Sequence, residues 1–459
     1  MNTKKILTRA PLCFALFFLT ILPFNVRKIF NFEQISNIEG FRENLSWSLF
    51  PFDIVLFLLF LSLVLVIFPS KDRYLEKIKL DFLLKKSFFL FVFWILISIF
   101  LATNPQIAFY VTTRLFLGIL AFFLLRKALD YKRRTFIYAS SALLVSGVFQ
   151  ALLGIVQFVF QKSIGLKFLG ESEISTSILG VAKFEIAGTK IIRAYGTFPH
   201  PNIFAAFLLL ALAAGVWLLL YVNFSKKSKL LNIFIPSSLA ILAAGIILSY
   251  SRSVVIALVI FITILLIAHK RSFVRVFKQI CEHFHIPRLL QGAFGILLAF
   301  SLLFVSYNML SPRICFDHCE NDNSIDLRSE YTKTATSIIS SAPLTGVGMG
   351  GFVIFQKERS PENIQKWEQQ PVHNIYLLIA SEIGLIGLVL FLCLIVHLTQ
   401  FFQEGFFGRL HNPFILCFFA FLILGFADHY FWTLPQGVLI FWVCLAFFHS
   451  SAKITKVEK

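Results

Sequence analysis

The sequence predicts an all-α fold, a polytopic membrane helix bundle of about twelve transmembrane helices with a large extracytoplasmic loop that holds short helices. Three observations predict it. First, 58% of the 459 residues are hydrophobic and the mean hydropathy is +0.80, values that no soluble domain of this length shows. Second, the apolar residues come in runs of about 20, the length of helix that crosses a bilayer core of about 30 Å. Third, open strands are excluded inside lipid, because every N–H and C=O there must be paired within its own segment. We expect a single integral membrane domain over residues 1–459, with the loop 311–372 as part of it.

The candidate spans fall near 10–26, 49–69, 87–103, 107–125, 135–160, 199–223, 233–250, 252–268, 291–310, 373–399, 413–428 and 435–449. The first follows Lys4, Lys5 and Arg9 and resembles a signal peptide. It lacks a small-residue cleavage site before Arg27 and Lys28, so it reads as an uncleaved membrane helix. The third and fourth are joined only by Asn104-Pro105-Gln106.

Basic residues set the orientation. Most of them lie in short loops on the same side as the N-terminus, and short basic loops belong to the cytoplasm. Both termini are then cytoplasmic, and the long polar loops 27–48, 161–198 and 311–372 face the other side. The net charge of +18 follows from this rule and from attraction to anionic membrane lipids. Nucleic acid is not an expected partner, because the basic residues are scattered with no contiguous basic face. Irregular polar chain gathered on the outer face points to work done there.

The sequence carries no phosphate-binding G-x-x-x-x-G-K-[ST], and Gly346-Val347-Gly348-Met349-Gly350-Gly351 lacks a strand-to-helix setting. The energy source is therefore placed in the substrate, and no cofactor is expected. No metal is expected either, since there is no H-E-x-x-H, C-x-x-C or D-x-D, and Asp317-His318-Cys319-Glu320 reads as a solvated loop. Cys315 and Cys319 in that loop are open to a local disulfide or to a free or metal-bound pair with His318. Cys13, Cys281, Cys393, Cys417 and Cys444 lie in or beside apolar runs and read as small packing residues.

Chemistry concentrates on the outer side. Arg252 follows Ser249-Tyr250-Ser251 in a very short connection, Arg328 opens a polar helix in the large loop, and Arg193 precedes Ala194-Tyr195-Gly196-Thr197-Phe198. Each offers a planar fork of donors suited to phosphate oxygens. Each is equally open to snorkelling toward head groups or capping a helix.

His373 stands where the span 373–399 begins, above a stripe of Ala380, Gly384 and Gly387 on one helical face. A neighbouring helix or a lipid tail can approach along such a stripe. Histidine is a general base near neutral pH, and the alternative is a histidine bonded to loop backbone. Glu382 lies inside the same span, with Arg114 as one possible structural partner. His200 and Asn202 follow Gly196-Thr197-Phe198-Pro199. They fit either the lining of a polar pocket or a proline-fixed helix start, and spacing favours the second.

These stretches resemble the O-antigen ligase family, a superfamily that also includes O-antigen polymerases and protein O-oligosaccharyltransferases. The resemblance rests on Gly196-Thr197-Phe198-Pro199-His200-Pro201-Asn202, Ser251-Arg252-Ser253, Arg328 ahead of Pro343-Leu344-Thr345-Gly346-Val347-Gly348, and His373-Asn374 followed by Gly384-x-x-Gly387. It implies a glycan donor carried on polyprenyl pyrophosphate in the bacterial cytoplasmic (inner) membrane. The acceptor it implies is a hydroxyl on lipid A–core, another glycan or a protein. It implies inverting transfer without metal or nucleotide. By their places in the motifs, Arg252 and Arg328 resemble diphosphate-binding arginines and His373 resembles the histidine that activates the acceptor. Arg193, His200, Asn202 and Asn374 are expected to bind substrate. A lipid-glycan transporter or flippase is the rival of another class. It would place ionisable groups at mid-bilayer in two matching halves, which this sequence lacks. A non-catalytic scaffold for envelope assembly is the third reading.

Overall fold

The structure is a computed structural model that describes residues 3–30, 45–67, 86–130, 132–186, 188–222, 229–283, 323–359, 368–399 and 411–456. Its helices, in chain order, are α1 (Thr3–Ile21), α2 (Pro51–Ile67), α3 (Lys86–Phe100), α4 (Pro105–Leu129), α5 (Arg133–Phe160), α6 (Pro201–Tyr221), α7 (Lys229–Leu248), α8 (Arg252–His283), α9 (Asn323–Ser341), α10 (Gly351–Arg359), α11 (Ile375–Thr399), α12 (Pro413–Leu424), α13 (Tyr430–Thr433) and α14 (Pro435–Lys456). Among the described residues, α4, α5, α6, the first part of α8 (Arg252–Lys270), α11 and α14 (to Ile454) are long and apolar enough to cross a membrane. Arg9–Ile21, Pro51–Val66, Lys86–Phe100, Ile233–Leu248 and Pro413–Leu424 are apolar but shorter. The chain is thus an all-α polytopic membrane protein. The expected span 291–310 and the Cys315–Cys319 pair lie outside the described residues.

The strands are two antiparallel hairpins outside the spans: β1 (Lys28–Phe30) with β2 (Trp47–Leu49), and β3 (Lys183–Ile186) with β4 (Thr189–Ile192). The expectation of helix alone missed these short ribbons, which can form where water satisfies their outer edges.

Helix α6 is the hub, buried on nearly every side by α5, α7, α12 and α14. It is apolar all round, as a helix with no wet face must be. Its Ala211 faces Gly147 of α5 so closely that a Cβ on that glycine would collide. This is the small-residue contact by which membrane helices approach one another. Buried Cys417 and Cys444 pack as expected, whereas Cys13 and Cys393 face outward from the bundle.

Two expectations are corrected. Arg114 does not pair with Glu382. Its Nη1 donates to both oxygens of Asp53 at 2.9 and 2.8 Å, Nη2 donates to the Ser48 carbonyl, and Nε reaches Tyr110 Oη at 3.3 Å. Glu382 instead accepts from Trp432 Nε1 at 2.9 Å.

The second correction concerns α11, which is not a continuous wheel. Ile383 and Gly384 leave helical geometry, and Gly384 sits at φ +72°. The glycine-rich turn seals the break. Val347 N donates to Ser381 O at 3.0 Å, Gly348 N to Glu382 O at 2.7 Å, and Leu385 N to Pro343 O at 2.8 Å. Trp94 of α3 covers the remaining carbonyl, donating from Nε1 to Ile383 O at 2.8 Å. A broken membrane helix needs such partners, because water is absent at that depth. The approach along the small-residue stripe is therefore made by the chain's own turn.

Candidate active site

The site is assembled from four segments that lead into or out of helices. The first is 193–202. Buried glutamines of α5 hold its backbone: Gln157 Oε1 accepts from Gly196 N at 2.8 Å, and Gln150 Oε1 from Thr197 N at 2.9 Å. Pro201 then starts α6, and His200 caps it, Nδ1 accepting from Asn202 N at 3.2 Å. Arg193 donates from Nη2 to Asn202 Oδ1 at 2.6 Å and from Nε to Ser249 O at 2.6 Å.

The second segment is the Ser249–Arg252 turn between α7 and α8. Tyr250 adopts φ +50°, a left-handed conformation that costs an aromatic residue free energy. Its ring stacks on Phe184 at 3.8 Å and on Phe158 at 6.1 Å, which holds it there. Half-buried Arg252 is the first residue of α8, three residues after Ser249, whose carbonyl accepts from Arg193.

The third segment joins α9 to α11. Tyr331, Ala335 and Ile338 form the buried stripe of α9, which packs against α11. Tyr331 donates its hydroxyl to the Glu368 carbonyl, and its ring lies parallel to that of His373, 5.8 Å between centroids. Asn374 Oδ1 accepts from Tyr376 N at 2.9 Å and Leu377 N at 3.1 Å, so this side chain caps α11 just after His373.

The fourth segment is 425–429. The expected span 413–428 ends early, at Leu424, and releases Asp428 and His429 into a loop ahead of α13. Asp428 Oδ2 accepts from Asn202 Nδ2 at 2.6 Å, and Oδ1 accepts from His429 N at 2.8 Å. His429 Nδ1 meets Thr433 Oγ1 at 2.7 Å, and its ring stands edge-on to His373, 4.9 Å away. One nitrogen of each histidine and an Asp428 oxygen lie within 4.8 Å of one another. No sequence spacing announces this cluster. The available signal was an Asp-His pair between two apolar runs.

The electrostatics follow from burial. Burial and the charge of Arg193 push His200 down to about 3, with His373 and Arg328 adding to the effect and Asp428 opposing it. Burial and His373 push His429 down to about 3. Burial lowers His373, with Asp428 and a hydrogen bond to the Pro371 backbone opposing and Arg328 helping. Burial alone would raise Asp428. The neighbouring histidines and the Asn202 hydrogen bond outweigh it and hold the carboxyl below its usual range. At neutral pH the cluster is three uncharged imidazoles and one carboxylate, flanked by Arg193 and exposed Arg328. Among the described residues, His373 Nδ1 is buried without a hydrogen-bond partner.

Of the residues singled out from sequence, Arg193, His200, Asn202, Arg328 and His373 thus act on one cluster, and Arg252 lies three residues after the Ser249 that Arg193 contacts. Asp428, His429 and Tyr331 join them unannounced.

Residues 237–392, from within α7 through most of α11, match the family model described as O-antigen ligase. That region is similar to the O-antigen ligase family. No curated protein matches the chain. The ligase region contains Arg252, Arg328, His373 and Asn374. Arg193, His200, Asn202, Asp428 and His429 lie outside it, so the cluster is completed by flanking helices. The match supports a membrane glycosyltransferase-type role at that general level.

Proposed function

We propose that the protein catalyses inverting, metal-independent transfer of a glycan from a polyprenyl-pyrophosphate donor to a hydroxyl acceptor, lipid A–core or another cell-envelope glycan. The reaction takes place at the outer face of the bacterial cytoplasmic membrane, with both termini in the cytoplasm and one integral domain of about twelve spans. The observation that carries the reading is the unpartnered, uncharged nitrogen of His373. It stands beside the Asp428 carboxylate and feels the charge of Arg328, within a region that matches the ligase family.

In this reading His373 takes the proton of the acceptor hydroxyl as that oxygen attacks the anomeric carbon. The bond from that carbon to the phosphate oxygen breaks, and the lipid pyrophosphate leaves with the electron pair. Arg252 and Arg328 stabilise the charge that gathers on it. Asp428 offsets the positive charge that forms on His373, and Asn202 and Arg193 hold Asp428 in place. Asn374 aims His373 by fixing the first turn of α11.

The test is transfer by purified protein in nanodiscs, from a polyprenyl-pyrophosphate glycan to lipid A–core, to a second glycan and to a protein. His373→Ala and Arg252→Ala are expected to lose transfer while still inserting. Undiminished transfer in both variants overturns the assignment. The acceptor that works separates ligase from polymerase and protein O-oligosaccharyltransferase.

A further inference from the structure

His373, Asp428 and His429 bring two imidazole nitrogens and a carboxylate oxygen within 4.8 Å of one another. Such a donor set suits zinc-class ions, whereas Mg2+ and Ca2+ prefer cages of oxygen. Three protein ligands with one position open is the arrangement of zinc sites that admit water or a substrate oxygen. Zinc bonds of about 2.0–2.1 Å put tetrahedral ligand atoms about 3.4 Å apart, so side-chain shifts of about 1 Å draw these three onto one ion.

The outer shell is built. Asn202 and the His429 backbone N–H fix the two oxygens of Asp428, and Thr433 fixes the His429 ring. An independent sign is His373 Nδ1, a buried polar atom left without a partner. Native interiors rarely leave such an atom unless something completes it.

We infer that His373, Asp428 and His429 form an inhibitory site for a zinc-class divalent cation, which occupies the base that the acceptor hydroxyl needs. The binding half rests on geometry alone, and the inhibitory half rests on the transfer reading above. A nitrogen lone pair given to a metal cannot accept a proton. Arg193 and Arg328 repel a further positive charge, so the ion binds reversibly and more weakly than in a closed structural site.

The experiment uses metal-stripped, full-length protein in nanodiscs, titrated with Zn2+ by calorimetry and with Mg2+ as control, beside Asp428→Asn and His429→Gln. One Zn2+ per chain is expected, no Mg2+, and affinity about 100-fold lower in both variants. In the transfer assay the stripped wild type is active, Zn2+ stops turnover and EDTA restores it. No saturable Zn2+ binding, or binding that both variants keep, overturns the site. Should both variants fail to insert, the visible spectrum of Co2+ bound to the wild type decides, and the absence of imidazole-ligated bands overturns it. Transfer that is indifferent to Zn2+, or that requires it, overturns the inhibitory role. Zn2+ bound by a protein that transfers nothing under any condition upholds the cation site and overturns inhibition together with the transfer reading. The two therefore fail separately.

Discussion

Among the described residues, the buried polar groups around Arg114 and those around His373 have been spent differently. Around Arg114, the guanidinium gives its donors to both oxygens of Asp53, to a carbonyl and to a phenol, with the Phe50 and Tyr110 rings against it. Around His373, a carboxylate is held from two sides while the imidazole Nδ1 has no hydrogen-bond partner among the described residues. Both clusters carry charge where charge is costly. Only the second keeps hydrogen-bonding capacity in reserve. A buried ion by itself therefore says little about chemistry, and the unspent valence says more.

Four substitutions or conditions bear on that contrast. The largest effect belongs to His373→Ala, which removes the base. Transfer per inserted molecule is expected to fall about 10²–10⁴-fold, with thermal stability little changed, as read by radiolabelled-glycan transfer and by a melting assay in detergent. A loss of stability in place of turnover would put His373 in the same class as Arg114.

Arg114→Met should do the opposite. Leaving Asp53 buried and unpaired is expected to cost about 3–5 kcal/mol of stability, while molecules that remain folded keep their turnover. The double replacement Arg114→Met with Asp53→Leu should recover most of the loss, and a double mutant as weak as the single would show that the pair matters beyond its charge.

Gly384→Ala tests the seal in α11. At φ +72° and ψ 175° the backbone lies in a region open essentially to glycine, where a side chain costs about 1–3 kcal/mol, and the added methyl would also strike the Leu344 carbonyl. Lower stability with slowed transfer is expected, since the turn and His373 belong to one assembly; an unchanged melting curve would mean the break tolerates a side chain.

The smallest effect is on pH dependence. In the proposed reaction His373 works uncharged, and its pKa is lowered, so transfer should persist below the ordinary histidine value of 6.5 and fall as pH drops through the lowered one. His429, His200, Asp428, Arg193, Arg328 and Tyr331 all surround it. Removing the charge of Arg328 by Arg328→Gln should move the acid limb up. Removing that of Asp428 by Asp428→Asn should move it down. Residual transfer measured from pH 4 to pH 8 reads both limbs, and limbs that move together would remove His373 as the titrating group.

Apolar run length made the membrane helices legible, and the motif residues made His373, Arg328 and the glycine turn legible. Two things were hidden. Asp428 and His429 were absorbed into an apolar run, because hydropathy averages over a short polar exit and does not see where α12 stops. The break at Gly384 was hidden because a helical wheel assumes the regularity that the break abolishes. Arg193, read from sequence as a phosphate ligand, gives two of its donors to Asn202 and Ser249. Residue type announced its capacity, and only the folded chain shows how much of it is already used.

The join between the glycine turn and α11 is made by main-chain groups, Val347 to Ser381, Gly348 to Glu382 and Leu385 to Pro343. Side chains on either flank can therefore drift while the fulcrum stays put, provided the glycines remain. Arg328 rides on one arm of that lever and His373 on the other. The surface around them is thus free to change its side chains without re-aiming either residue.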